Sequence, residues 1–222
     1  MKLAFIKNLM NSKSKKSKTP FVLVIEGVDF SGKTTLANRI QTVLASHDYR
    51  VKLLHDPKGS ENSKVIWKTI LKIKAQDSDP TTELFLFLAA RNELICKELL
   101  KYEVDVVIFD RFIFSTIAYQ LTHRLASWDP FLATHRYFLG IMPDLCVYCD
   151  IDFYTFQHRR QKRSQKDHFD EMTQNRFEAV RIAYEQVLKL QLCPSMTFEN
   201  TANAFPKLID HIMGCIDASI PC

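Results

Sequence analysis

One octapeptide near the start of the chain constrains the fold more than any other feature. It reads Gly-Val-Asp-Phe-Ser-Gly-Lys-Thr over residues 27–34 and matches the pattern G-x-x-x-x-G-K-[ST]. An apolar run over residues 21–25 precedes it, and a segment with helical periodicity over residues 33–46 follows it. A buried strand, a glycine-rich turn and a helix in this order predict a loop whose backbone N–H groups point inward and bind phosphate.

Two side chains of this loop are suited to a bound nucleotide. We expect Lys33 to reach the β- and γ-phosphates, and Thr34 to offer its hydroxyl to Mg²⁺. Switch GTPases, motor ATPases and small-molecule kinases share such a loop, but the chain lacks the N-K-x-D motif that reads guanine. The predicted ATP-binding residues are Gly27, Val28, Asp29, Phe30, Ser31, Gly32, Lys33, Thr34 and Thr35.

Apolar runs rich in β-branched residues alternate with helical segments along the rest of the chain. Such runs are typical of strands that are buried on both faces, and their alternation with helices predicts a parallel sheet. We therefore expect an α/β fold of the P-loop NTPase type, with about five parallel strands flanked by helices and a helical lid. The predicted strands are 21–25, 50–54, 104–109, 145–148 and 196–198. The predicted helical segments are 33–46, 63–102 with a break at 77–80, 113–125, 206–216, and a long region over 154–190 in which a basic run separates two helices.

The positive charge is concentrated at the N-terminus. The formal net charge is +5, and residues 1–19 contain six lysines and no acidic residue. Without those lysines the chain is close to neutral, so we expect no specific binding of nucleic acid by its body. Residues 1–19 are predicted to be a disordered arm, either a solvated extension or a segment that contacts an anionic surface or RNA, and residues 20–222 one folded domain.

Membrane and disulfide signals are weak. No stretch approaches the roughly 20 apolar residues of a membrane span, and the apolar run within residues 1–10 is too short for a signal peptide, so we expect a cytoplasmic location. The chain has six cysteines, too few for a disulfide scaffold at this length. Cys146 and Cys149 fall in a predicted strand and point to opposite faces, so we expect core residues rather than a metal pair.

Several segments beyond the loop resemble the thymidylate kinase family. The family's E-G-x-D-x-x-G-K-[ST]-T appears at residues 26–35, L-F-x-A-x-R at 86–91, D-R-[YF]-x-x-S-x-x-A-[YF]-Q at 110–120, and P-D-L…D at 143–150. The resemblance covers residues 21–216 and leaves only the arm outside. It implies an enzyme that phosphorylates dTMP with ATP and Mg²⁺ in nucleotide biosynthesis, acts as a homodimer, and folds as one kinase domain over residues 20–222.

The family motifs also imply a binding site for the acceptor. Arg111, directly after the third predicted strand, would bind the acceptor phosphate through two hydrogen bonds, and Asp110 would bind Mg²⁺ directly or through water. By resemblance, Phe87 would stack on the thymine ring and Arg91 would reach the edge of the base. The predicted substrate-binding residues are Asp29, Asp56, Phe87, Arg91, Arg111, Ser115, Tyr119 and Gln120.

The sugar of the acceptor would lie between two of these residues. In family terms Asp29 would bind the 3′-hydroxyl, and Tyr119 would crowd the 2′ position so that deoxyribose is preferred. The predicted metal ligands are Thr34 and Asp110, and the predicted catalytic residues are Lys33, Asp110, Arg111, Arg159 and Arg163.

A dense basic run over residues 158–166 accounts for the last two of these. It is either a solvated helix face or part of a mobile lid, over about residues 158–170, that closes on ATP. Some family members carry a catalytic arginine within the phosphate loop, but Phe30 occupies that position here. We therefore expect the lid to supply the cation, with Arg159 and Arg163 as candidates and Arg160 next.

The chain departs from the family pattern at two places. The R-E-P turn reads His55-Asp56-Pro57, so one phosphate-binding arginine is missing, and Lys58 is a possible substitute; the lid's D-R-x-E reads DHFD over 167–170. Besides a dTMP kinase, the sequence alone leaves open a related kinase for other deoxynucleotides or nucleosides. It also leaves open a catalytically weak nucleotide-binding protein.

Overall fold

The structure, a computed structural model, describes residues 19–99, 103–121, 128–162, 172–199 and 204–219. Five strands are present in these ranges: β1 (Phe21–Glu26), β2 (Val51–His55), β3 (Val106–Asp110), β4 (Leu145–Cys149) and β5 (Ser195–Phe198). The helices are α1 (Lys33–Ser46), α2 (Glu61–Lys74), α3 (Pro80–Leu94), α4 (Ile113–Thr116), α5 (Asp129–Leu139), α6 (Phe153–Gln161), α7 (Gln174–Leu188) and α8 (Ala204–Ser219).

The five strands form one parallel sheet in the order β2-β3-β1-β4-β5. All residues of β1, β3 and β4 are buried, as the continuous apolar runs predict. In the registers of the central strands, Ile25 lies opposite Asp110, and Glu26 lies opposite Tyr148. The carboxyl ends of the central strands therefore meet at one edge, where open parallel sheets bind ligands. The predicted fold class is confirmed.

Two hydrophobic cores pack on the two faces of this sheet. One contains residues of α3, α4, α5 and α7, and the other contains residues of α1 and α8. Cys146 belongs to the first core and Cys149 to the second, and both are buried. The opposite orientation predicted from their spacing is confirmed. Within the described ranges no helix is long and apolar enough to cross a bilayer.

Helix boundaries follow local capping signals. α1 has the predicted bounds, and α2 begins two residues before the prediction because Ser60 and Ser63 form a capping box. The predicted break near residues 77–80 is confirmed, since Asp79 caps α3 and Pro80 occupies its first turn. A π-helical turn, Ile95–Leu99, follows α3 directly, and residues 100–102 of the predicted segment lie outside the described ranges.

Two helical predictions, those for residues 113–125 and for the region of α5, need correction. The helix predicted over 113–125 is a short α4 followed by a π-helical turn, Ile117–Leu121, and residues 122–127 lie outside the described ranges. The helical region predicted over 154–190, with a basic run between two helices, contains α6 and α7, capped by Asp152 and Thr173. No helix was predicted for α5, although Pro130 in its first turn and the left-handed Gly140 at its end are typical boundary signals.

Candidate active site

The phosphate-binding loop connects β1 to α1 with two backbone turns in the left-handed region. Gly32 has φ 95° and Phe30 has φ 61°, and α1 begins directly after Gly32. Gly27 has φ 144°, and a Cβ atom there would collide with the carbonyl oxygen of Cys149 on β4. The loop therefore lies against the sheet too closely for a side chain, with the N-terminus of α1 facing it.

Lys33 is held by the loop that precedes it. Its Nζ donates to the carbonyl oxygen of Val28 at 2.6 Å and lies 3.4 Å from the Oγ of Ser31. Burial, together with the positive charge of Arg111, lowers the pKa of Lys33 to about 8. A nucleotide phosphate at this position would favour the charged ammonium, because an opposite charge stabilises it.

Asp110, the last residue of β3, shares one carboxylate oxygen between two partners. Thr34 Oγ1 donates to its Oδ2 at 2.5 Å, and the Nδ1 atom of His55 lies 3.2 Å from the same atom. Burial alone would raise the pKa of Asp110, but His55, Lys33 and Thr34 together lower it to about 2. The group is therefore an ionised carboxylate beside a hydroxyl, an oxygen-only donor set that fits Mg²⁺.

Thr34 and Asp110 supply two oxygen ligands, a number that suits Mg²⁺. No group of three or more His, Cys, Asp or Glu side chains capable of holding an ion occurs among the described residues. Mg²⁺ is usually bound through one or two carboxylates, with water and substrate phosphates completing its shell. Thr34 and Asp110 at the mouth of the phosphate loop match that arrangement.

Arg111 connects the phosphate loop to α4. Its backbone has φ 72°, which directs the residue out of the strand. One amino group, Nη1, donates to the carbonyl oxygen of Gly27 and to Ser115 Oγ, both at 3.0 Å, and lies 3.3 Å from the hydroxyl of Tyr184. The other, Nη2, is paired with the carboxylate of Asp29. The guanidinium is therefore fixed at the centre of the sheet edge.

A buried acid that the sequence interpretation did not single out holds the segment after Arg111. Glu26 is fully buried and accepts from the backbone N–H of Phe112 at 2.7 Å and from Ser115 Oγ at 2.5 Å. Burial raises its pKa, and these hydrogen bonds oppose that effect. Tyr184 on α7 joins the same network through Ser115 Oγ at 2.8 Å. The signal in the sequence was an acid at the end of an otherwise apolar strand.

Arg91 and Asp56 form a buried ion pair beside this network. Their side chains are 1% and 2% exposed, and Arg91 donates through Nε and Nη2 to Asp56 Oδ2 at 2.8 and 2.5 Å. Nη2 also donates to Thr116 Oγ1 at 2.7 Å and to the carbonyl oxygen of Phe112 at 3.1 Å. Burial raises the pKa of Asp56, and the charge of Arg91 opposes the rise.

One cavity of about 780 Å³ joins the phosphate loop to the Arg91–Asp56 pair. All predicted substrate-binding residues line it, as do all predicted catalytic residues that the structure describes. Gly27 and Val28 are the two predicted ATP-binding residues that do not line it. The cavity lining also includes residues that the sequence interpretation missed, namely Arg39, Trp67, Thr116, Cys149 and Phe198.

Trp67 packs against Phe87, and both side chains line the cavity. The two rings meet edge to face with centroids 6.0 Å apart, and Phe87 is 9% exposed. The Nζ atom of Lys58 lies 5.3 Å from the centroid of the Trp67 ring, a cation–π distance. An aromatic pair at the wall is suited to contact a flat base. Trp67 was missed because a tryptophan on an amphipathic helix is ordinarily a packing residue.

The basic segment reaches the phosphate loop through α6. Arg159 Nη1 donates to the carbonyl oxygen of Phe30 at 2.9 Å and lines the cavity. Arg160 does not line it. Arg163, the other predicted catalytic arginine, lies outside the described residues, as do residues 164–170 of the predicted lid.

Comparisons with known proteins agree with this geometry. The family model described as thymidylate kinase matches residues 25–205. A thymidylate kinase of Mesoplasma florum is 35% identical over 170 residues, covering 75% of this chain and 81% of the relative. One of Mycoplasma genitalium is 30% identical over 202 residues, covering 87% and 94%. The crystal structure of an Ehrlichia chaffeensis thymidylate kinase has the same fold, with a TM-score of 0.62, 24% identity, and coverage of 89% and 98%. The chain belongs to the thymidylate kinase family.

Proposed function

We propose that the protein transfers the terminal phosphoryl group of ATP to dTMP, producing dTDP and ADP with Mg²⁺ at the phosphates. One observation carries this proposal: the cavity is lined by the phosphate loop, by Arg111 and by the Phe87–Arg91 wall. Arg111 donates to the loop carbonyl of Gly27 and to Ser115. The next residue, Thr116, accepts a hydrogen bond from Arg91. Donor and acceptor sites are therefore adjacent, as direct phosphoryl transfer requires.

The donor site would hold ATP through main-chain amides and one ammonium. The loop's N–H groups and the N-terminus of α1 bind the phosphates, and Lys33 reaches the transferring group. Thr34 and Asp110 would hold Mg²⁺, which supplies charge neutralisation on the phosphates when bound. Arg159, held over the loop by Phe30, adds a second cation where negative charge develops.

The acceptor site would bind dTMP at its phosphate, sugar and base. Arg111 binds the acceptor phosphate, while Asp29, its present partner, accepts the sugar 3′-hydroxyl. The Tyr119 hydroxyl lies 3.4 Å from Asp29 Oδ2, which supports its place beside the sugar. Phe87 contacts the face of the base, and Arg91 donates to a carbonyl on its edge. Ser115 and Gln120 complete the wall.

Catalysis in this arrangement needs no covalent intermediate. The residues align the acceptor oxygen with the phosphorus atom and neutralise charge on both nucleotides, which repel each other in solution. Lys33 at the donor phosphates and Arg111 at the acceptor phosphate keep both substrates in register.

The test is ADP release from Mg²⁺–ATP with dTMP, dUMP, dCMP, dAMP and dGMP in turn. We expect the highest kcat/KM with dTMP. Arg111→Ala should raise the KM for dTMP at least about tenfold, since a charge-assisted hydrogen bond contributes about 1.5–3 kcal/mol. Arg181→Ala is the matched control, because Arg181 pairs with Asp150 outside the cavity. The proposal fails if dTMP is not consumed.

A homodimer is the assembly we propose. Large apolar side chains are exposed on α2 (Val65, 63%), α3 (Phe85, 61%) and α5 (Phe138, 64%), and α3 packs against both other helices. Apolar surface of this kind is typical of an interface between copies. In sedimentation velocity, Phe85→Lys should yield monomers, whereas Tyr154→Lys on α6 should not. A monomeric wild type at micromolar concentration contradicts the proposal. The cytoplasmic location stays a prediction.

A further inference from the structure

Two buried side-chain atoms, on two residues that line the cavity, have no hydrogen-bond partner within the described part of the chain. They are Asp56 Oδ1 and Arg91 Nη1, and they belong to the two members of one ion pair. The remaining polar atoms of both side chains are bonded, because Asp56 Oδ2 accepts twice from Arg91 and Arg91 Nη2 also contacts Thr116 and Phe112. Both residues line the cavity.

An unpaired buried acceptor or donor is costly, because the group loses its hydration without replacement. A purely structural ion pair removes that cost by satisfying both oxygens of the carboxylate. The Asp56–Arg91 pair instead leaves one acceptor and one donor without a partner among the described residues, each on a side chain that is almost fully buried. The arrangement is fixed in place, since Arg91 is held by three different partners and the backbone N–H of Asp56 donates to Asp110 at 3.2 Å.

The two atoms have opposite hydrogen-bonding character. Arg91 Nη1 is a donor and Asp56 Oδ1 is an acceptor. A 4-oxo pyrimidine, such as thymine or uracil, presents a carbonyl acceptor at C4 beside an N3–H donor. A 4-amino pyrimidine, such as cytosine, presents the reverse, with an amino donor at C4 and a bare nitrogen acceptor at N3. Only the 4-oxo pattern offers a hydrogen-bond partner to both Asp56 Oδ1 and Arg91 Nη1.

We propose that Asp56 reads the acceptor base directly: Oδ1 accepts the N3–H of a 4-oxo pyrimidine while Oδ2 fixes Arg91 for the C4 carbonyl. The inference rests on the proposed function, which makes this cavity the acceptor site. It assigns to Asp56 a role in specificity that differs from holding Arg91 alone. With cytosine, two donors would face each other at C4 and two lone pairs at N3, so the site would reject that base.

The test compares kcat/KM for dTMP, dUMP and dCMP in the wild type and in Asp56→Asn. Asparagine keeps an oxygen for Arg91 and places an amide donor where Oδ1 stood. We expect kcat/KM for dTMP to fall about 10- to 100-fold, the range that one unsatisfied buried group accounts for. dUMP has the same O4 and N3–H, so its kcat/KM should fall by the same factor. The dTMP/dCMP ratio should drop at least about tenfold, because the new donor matches the N3 of cytosine.

If Asp56 had a merely structural role, Asp56→Asn would lower kcat/KM for all three substrates by the same factor. The dTMP/dCMP ratio of kcat/KM would then be unchanged, and this result would overturn the inference. Asp150→Asn is the control; this carboxylate pairs with Arg181 outside the cavity, and its loss should leave the ratio unchanged. If the wild type does not consume dTMP, the proposed function fails. If it does and the ratio is constant, only this inference fails.

A second measurement needs no variant and covers the case in which Asp56→Asn does not fold. The wild type should bind 3-methyl-dTMP, which lacks the N3–H, at least about tenfold more weakly than dTMP in calorimetric titration. The 5-ethyl analogue of dUMP, which adds bulk elsewhere on the ring but keeps the N3–H, is the steric control. Equal affinities for dTMP and 3-methyl-dTMP would overturn the inference.

Discussion

Replacing Arg91 by leucine removes one partner of the most deeply buried ion pair in the described ranges of the chain. Leucine keeps part of the apolar volume but none of the contacts to Asp56, Thr116 and the carbonyl oxygen of Phe112. Because the Asp56 side chain is only 2% exposed, its carboxylate stays in the interior without a partner. Breaking a buried pair in this way costs about 3–5 kcal/mol of folding free energy.

That loss is large enough to measure. For a chain of this size, 1 kcal/mol shifts Tm by about 2–4 °C, so Arg91→Leu should lower Tm by about 6–20 °C. The double variant Arg91→Leu/Asp56→Asn should recover at least about 1 kcal/mol of the loss, since it no longer buries an unpaired charge. Comparing the single and the double variant therefore separates the free energy of the lost hydrogen bonds from the cost of burying an unpaired carboxylate.

The assay is urea unfolding at pH 7, followed by circular dichroism without nucleotide, because bound ligand would raise the apparent stability. Arg181→Leu is the matched control: its pair with Asp150 is 32% and 26% exposed and should contribute at most about 1 kcal/mol. If Arg91→Leu cost less than about 1 kcal/mol, or if the double variant were no more stable than the single one, the buried-pair reasoning would be wrong.

Three further predictions concern pH, the loop and the lid. Burial and the nearby charge of Arg91 lower the pKa of His135 to about 3 from 6.5, so the fold favours the neutral ring. Stability from His135 is complete above pH 6.5 and should fall by about 1.4 kcal/mol per pH unit between 6.5 and 3, a slope that urea titrations of His135→Gln should lack. Gly27→Ala should destabilise by about 2–4 kcal/mol, because its Cβ would strike the Cys149 carbonyl, and a melting temperature equal to wild type would contradict this. Arg159→Ala should lower kcat, measured by stopped-flow kinetics, at least about tenfold. The Kd of ATP, measured by titration, should change little. An unchanged kcat would remove Arg159 from the mechanism.

The central strands β1, β3 and β4 were predictable because burial on both faces leaves a direct record in the sequence. A strand such as β1 must be apolar at every position when helices cover both sides of the sheet. The helix α1 was predictable because a phosphate loop must be followed by a helix. The helix α5 was not predicted, because no motif marked the region and the boundary signals Pro130 and Gly140 were not weighed. Helix ends depended on caps such as Asp152, which a periodicity argument does not weigh.

The acceptor site was predictable only in part because its contacts join distant segments. The motif supplied Arg111 and Ser115, but the hydroxyl of Tyr184 reaches the Ser115 Oγ from a helix 69 positions further along the chain. The sequence suggested that Asp56 contacts substrate, whereas the structure adds its ion pair with Arg91. Trp67 gave no sign of lining a cavity. Such contacts follow from tertiary packing, which no local pattern records.

The two ends of the cavity therefore respond differently to changes in the chain. The donor end is built mainly by consecutive residues of one loop, to which Asp110 and Arg159 are added, so a substitution in the loop disturbs its backbone N–H groups, Lys33 and the start of α1 together. The acceptor end is assembled from the segments after β2 and β3 and from α3, each of which contributes separate side chains to one wall. A substitution at Phe87, for example, can alter how the acceptor is held while the donor site stays intact. Acceptor selectivity is consequently the property that this architecture leaves most open to variation.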